Sequence, residues 1–162
     1  PGGRFMVVPQ HGPREVHQRA DGSVCQVGQL AVIDAVAEKL AAQVPVFYEA
    51  TCRSSIVGKP HERAALQYAM PAPDGKTVFV ELGTLYGPPN VPAESRFVAV
   101  FDLTDPYRPV QLLSIPVGAG NDTRDHALTG DGALLLVTNS LENSVSVIDV
   151  ASRQVVRTIP TV

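Results

Sequence analysis

Hydrophobic and polar positions are patterned most regularly over residues 125–162, DHALTGDGALLLVTNSLENSVSVIDVASRQVVRTIPTV. Four short runs alternate there with three tight polar turns. His126 to Leu128 begins a first strand, and Thr129-Gly130-Asp131-Gly132 closes it with the glycines a tight hairpin needs. Ala133 to Thr138 is apolar almost throughout, which suits a strand buried on both faces. Asn139 to Asn143 turns the chain. Ser144 to Val150 follows, with Val145 and Val147 on one parity and Ser144 and Ser146 on the other. After Ala151 to Gln154 comes a fourth run, Val155 to Val162, which contains Pro160. Proline cannot donate to a ladder, so this strand belongs at the sheet edge. The expected unit is a four-stranded antiparallel sheet.

One such sheet cannot bury both its faces, whereas stacked copies can, and that is the logic of a β-propeller. The segment LLLVTNSLENSVSVIDVASRQVVRTIP resembles the YVTN-type β-propeller repeat: a His-containing first strand, a D-G turn, Y-V-T-N, V-S-V-I-D and a V-x-x-x-I-P close. Leu136 stands where that repeat has Tyr, while Val137-Thr138-Asn139 match it. The resemblance implies a propeller blade; propellers of this kind host unrelated functions.

The remaining chain parses as looser copies of the unit. Arg4 to Val8 reads as a second strand whose first strand is missing, and Gln29 to Asp34 as a third strand. Ala41 to Val46 reads as an outer strand holding Pro45. An alternative parse makes Pro13 to Ala20 a first strand closed by Asp21-Gly22, but leaves little chain for a second strand. Residues 35–42 have helical propensity, yet the run is short and its flanks fit the repeat. In the next unit, His61 to Ala69, Thr77 to Val80, Arg96 to Asp102 and Val110 to Val117 are the four strands, with Asp74-Gly75 in the first turn. Asp34, Asp102 and Asp149 close the third strands, and Pro45, Pro116 and Pro160 mark the outer ones. The pattern predicts an all-β chain made of an incomplete first blade over 1–46 with a loop at 10–28, a second blade over 47–117 with a loop at 83–95, and a third over 118–162. Together they form part of one propeller domain. Fewer than three blades cannot close a ring. The expected partners are therefore the remaining blades of a longer chain or other copies of this one, and two apolar blade faces should be exposed.

Composition agrees with the class. Fourteen prolines and thirteen glycines punctuate a chain of 162 residues that is 44% hydrophobic and 18% charged. A net charge of −3 without a basic patch argues against nucleic acid, and no apolar run reaches the length of a membrane span. The chain opens at Pro1 without a signal peptide, which reads as a mature or excised piece.

Strand order sorts the connections. Those after second and fourth strands share one end of the stack and hold nearly all the irregular sequence. Those after first and third strands are short. Long loops on one end of a rigid scaffold are where function concentrates. All four histidines fall there. His61 and His126 begin first strands in adjacent blades and should converge near the channel mouth, with His11 and His17 in a nearby loop. Imidazoles so placed can bind copper or zinc; histidine-ligated copper oxidoreductases built on propellers share the architecture. The competing reading is a histidine bonded to a neighbouring loop. Glu62 and Arg63 after His61, and Arg124 and Asp125 before His126, form either a polar ring at the mouth or inter-blade ion pairs. No catalytic residue is assigned: Ser54-Ser55 and the aspartates lack triad spacing, and Gly118-Ala119-Gly120-Asn121 opens no helix. Two functions stay open. One is an extracytoplasmic scaffold binding a protein or small molecule through its loop-rich face. The other is a metal-dependent, copper-containing periplasmic oxidoreductase.

Cys25 and Cys52 have no metal-binding spacing. In the last blade residues near 150 should pair with residues near 155, and if the hairpin after Asp34 copies it, the pairing sum there is about 75. The two cysteines, which sum to 77, then oppose each other where the hairpin runs out. The expectation is a Cys25–Cys52 disulfide, implying a periplasmic or secreted protein, and the alternative is two separate, half-buried thiols.

Overall fold

A computed structural model describes residues 3–11, 26–47, 63–86, 97–118, 126–140 and 142–161. The described residues contain eleven strands and no helix. Sheet one holds β1 (Phe5–His11), β2 (Gln26–Asp34) and β3 (Lys39–Phe47). Sheet two holds β4 (Arg63–Pro71), β5 (Thr77–Tyr86), β6 (Phe97–Asp102) and β7 (Val110–Pro116). Sheet three holds β8 (His126–Leu128), β9 (Leu134–Asn139), β10 (Ser144–Asp149) and β11 (Gln154–Pro160). Every pairing is antiparallel and each sheet is a meander in chain order. Pro45, Pro116 and Pro160 all lie on edge strands, where the missing N–H costs no ladder bond.

The repeated aspartates have a local physical role: each carboxylate caps the turn between third and fourth strands. Asp34 Oδ1 accepts from the amides of Val36 and Ala37, at 3.1 and 3.0 Å. Asp102 Oδ1 accepts from Thr104 N at 2.8 Å and Asp149 Oδ1 from Ser152 N at 2.6 Å. A short acceptor that bonds the backbone two or three residues on closes such a turn without a glycine. Four residues after Asp34 and Asp149, Glu38 and Arg153 are left-handed, with φ of 51° and 57°. These turns are tighter than the sequence reading assumed. Asp34 faces Lys39 and Gln29 faces Pro45, so the first-sheet pairing sum is 73 to 74 rather than 75. Asp149 facing Gln154 shows the same offset in sheet three, so the copying between hairpins holds while the turn length was overestimated.

Sheet two is sandwiched between the others. Its face toward sheet one joins Val78, Val80, Phe97, Ala99 and Phe101 to Leu30, Val32 and Val46. Its opposite face joins Phe79, Val98, Val100 and Ile115 to Leu135, Val137 and Ile148. Residues Phe97 to Phe101 are consequently all buried. The apolar run in β9 behaves differently. Leu135, Val137 and Asn139 are buried, whereas Leu134, Leu136 and Thr138 are only half-buried, because only one face of sheet three meets a neighbour. The expectation of burial on both faces therefore holds for the middle sheet and fails for β9. Strand β5 also runs on to Tyr86, past the expected end at Val80. The fold is all-β: two four-stranded blades and one blade with three described strands, stacked face to face as in a β-propeller.

Candidate functional site

The two ends of the stack differ in chemistry. At the short-turn end, between the first and second blades, the buried Asp34 is saturated. Its Oδ2 accepts from Arg4 Nη2 at 2.8 Å, Arg4 Nε at 3.2 Å and the Tyr107 hydroxyl at 2.7 Å. The Arg4 guanidinium, then the Ala37 amide and the Tyr107 hydroxyl, hold the Asp34 carboxyl well below the usual aspartate range. Phe5 meets Tyr107 edge to face, with centroids 5.8 Å apart. Every oxygen here has its donors, so this end is an inter-blade clasp.

The opposite end of the strands carries a buried polar cluster between the second and third blades. Glu81 on β5 follows Phe79 on the face toward the third blade. It is paired across the sheet with Tyr68 and Val98 and is 1% exposed. Its Oε2 lies 2.8 Å from Nδ1 of His126, the first residue of β8, whose side chain is 4% exposed. Tyr68 stands edge-on to that imidazole at 5.5 Å. Glu81 Oε1 is buried and has no hydrogen-bond donor among the described residues.

Beyond it, Asn139 ends β9. Its Nδ2 donates to Ser144 Oγ at 3.0 Å and Ser146 Oγ at 2.9 Å, while its buried Oδ1 has no donor among the described residues. Gly118, leaving the second blade, bonds Ser146 Oγ through its amide. A side chain on Gly118 would run into Asn139, whose Nδ2 lies 2.6 Å from the Cβ position. Each buried acceptor left without a donor costs about 1–3 kcal/mol. Two of them at one end are uncommon in a folded core.

The structure places one predicted ligand in full: His126, whose side chain is buried and bonded to a carboxylate. His11 ends β1 and Arg63 begins β4, as backbone positions. His17, His61, Glu62, Arg124, Asp125, Cys25 and Cys52 lie outside the described residues. Among the described residues no three His, Cys, Asp or Glu side chains gather in a metal-binding arrangement. Glu81 was missed by the sequence reading, which ended the strand at Val80. The signal available was register. Thr77 faces Asp102 as Leu134 faces Asp149, so Glu81 occupies the position of Thr138 and must face the next blade.

No family model and no curated protein sequence matches the chain. Solved structures do. Hydrazine synthase from Kuenenia stuttgartiensis superposes with a TM-score of 0.64 at 14% identity, over 99% of this chain and 48% of that one. The periplasmic gluconolactonase of Pseudomonas aeruginosa gives 0.54 at 18% identity, over 91% of this chain and 38% of that one. These likenesses show the fold. The chain is a run of β-propeller blades. It spans about half the length of the first of these structures and less of the second. No helix among the described residues is long and apolar enough to cross a membrane.

Proposed function

We propose that the chain is part of an extracytoplasmic, YVTN-type propeller scaffold that takes its ligand at the end holding the long connections. The contrast between the two ends carries this reading. The Arg4–Asp34–Tyr107 clasp has its carboxylate fully bonded, while Glu81 Oε1 and Asn139 Oδ1 are two buried acceptors at the other end without a donor among the described residues. An acceptor-rich cluster favours a small donor-rich ligand, such as a polyol, or a cation. The blades over 1–46, 47–117 and 118–162 belong to one domain in this reading, completed by further blades. The test is an amide-resolved titration of the intact protein with glucono-1,5-lactone as a polyol probe and with zinc(II) as a cation probe. Perturbed signals should fall at Glu81, His126 and residues 137–144. Perturbations confined to Arg4, Asp34 and Tyr107 would overturn the reading. The extracytoplasmic placement rests on a Cys25–Cys52 disulfide. Intact mass after alkylation, with and without reduction, should differ by two alkyl groups.

A second reading, a copper-containing oxidoreductase, is favoured by one observation. A histidine whose Nδ1 is held by a carboxylate has the arrangement common among metal-ligating imidazoles. The described residues supply only that one ligand, so His61, His11 or His17 would have to complete the set. Copper bound there would supply one-electron chemistry. His126→Ala should then strip copper from a protein that remains folded, as read by metal analysis beside circular dichroism; retained copper would sink this reading.

A further inference from the structure

We infer that Glu81 is a positioning residue for His126, fixing the imidazole in the Nδ1–H form and leaving Nε2 as a lone-pair nitrogen. This rests on the reading that His126 serves the long-connection end. The observation behind it is the 2.8 Å contact between Glu81 Oε2 and His126 Nδ1, with both side chains at least 96% buried. Two acceptors cannot share one hydrogen bond, so either Nδ1 or the carboxyl group carries the proton. A carboxylate, being acceptor-only, requires Nδ1–H. The singly protonated ring then presents Nε2 as an acceptor.

Geometry holds the arrangement from three sides. Glu81 sits inside β5, flanked by its partners Tyr68 and Val98. The Tyr68 ring stands edge-on to the imidazole, at an interplanar angle of 76°. His126 is anchored in β8 opposite Val137, itself fully buried. A ring oriented by a strand-borne carboxylate loses little entropy on engaging a ligand, unlike a histidine carried on a loop. Nothing else among the described residues bonds the ring, and Nε2 is the edge this inference assigns to a ligand. Its chemical class is a hydrogen-bond donor (N–H or O–H) or a borderline cation that takes imidazole nitrogen, such as zinc or copper.

The tautomer can be read without any ligand. Long-range proton–nitrogen NMR of the intact protein at about pH 8, above the ordinary imidazole range, should show a protonated Nδ1 and a bare Nε2 for His126. Glu81→Leu removes the acceptor and should lose that preference. If this variant does not fold, the wild-type spectrum decides by itself. A bare Nδ1, or a doubly protonated ring, in the wild-type protein overturns the inference whatever metals do. An unchanged tautomer in a folded Glu81→Leu overturns it as well.

Zinc(II) affinity separates this from the parent reading. Where His126→Ala abolishes zinc binding, Glu81→Gln should weaken it by about 10–100-fold, the usual effect of losing a carboxylate behind a ligating histidine. Unchanged affinity in Glu81→Gln would count against positioning. If His126→Ala leaves zinc binding untouched, the metal reading fails, and the wild-type tautomer alone decides the role of Glu81.

Discussion

At the scale of single residues, the turns are held by a few atoms whose replacement has calculable effects. Gly132 lies in the Asp131-Gly132 turn at φ 70°, and a Cβ there would overlap the Pro73 ring of the neighbouring blade. Both objections act on Gly132→Ala: left-handed backbone costs a residue with a side chain about 1–2 kcal/mol, and overpacking about 1–3 kcal/mol. A loss of at least about 2 kcal/mol in denaturant unfolding is expected. Gly75 has the same φ, 71°, in the equivalent turn. Asp34 gives a pH-dependent prediction. Its folded pKa is depressed by Arg4, the Ala37 amide and Tyr107. Its contribution is therefore present above the ordinary aspartate range, near pH 4, and is lost as pH falls below it. Asp34→Asn should be less stable than wild type at about pH 7 and should lose less stability between about pH 5 and pH 2. Parallel acid limbs for the two proteins would rule out the clasp as a source of acid sensitivity.

At the scale of elements, legibility followed how local the cause was. The strand runs, the edge prolines and the D-G turns depend on residues a few positions apart, and they were readable. Asp34, Asp102 and Asp149 were visible as a repeat, but their role as turn caps was not, because it depends on which backbone amides fold back onto the carboxylate. The hairpin offset was overestimated for the same reason: a left-handed Glu38 or Arg153 shortens the turn, and no composition rule announces a left-handed residue with a side chain. The pair Glu81–His126 spans two sheets and 45 positions, so spacing carried no trace of it. Ser144 and Ser146 alternate with valines, yet they are buried. Their satisfaction by one Asn139 side chain explains how that polar parity sits between blades. Asn139→Leu should accordingly destabilise the third blade, since it removes the shared donor of two buried hydroxyls, leaving Ser146 Oγ only the Gly118 amide. Each stranded group costs about 1–3 kcal/mol, read as a lower unfolding midpoint. A midpoint equal to wild type would mean that water replaces the amide without loss.

At the scale of the whole molecule, the middle blade shows what a complete environment does: residues 97–101 of β6 are buried without interruption. The outer faces of the flanking blades lack such a neighbour. On the first blade Met6 and Leu40 are 55% and 56% exposed. On the third, Leu134 and Leu136 are half-buried while Leu135 between them is 1% exposed. If further blades complete the ring, Leu136 in the intact protein occupies the environment that Phe79 has in the second blade, the equivalent position by register. Leu135→Ala and Leu136→Ala should then cost comparable amounts, each about 2–5 kcal/mol, because both would leave a cavity between packed sheets. Exposure of Leu136 as it stands in these three sheets predicts otherwise: a cost under about 1.5 kcal/mol, the transfer of a partly wetted side chain. Equilibrium unfolding of the two variants in the intact protein decides between them. A cheap Leu136→Ala beside an expensive Leu135→Ala would mean that no blade covers this face.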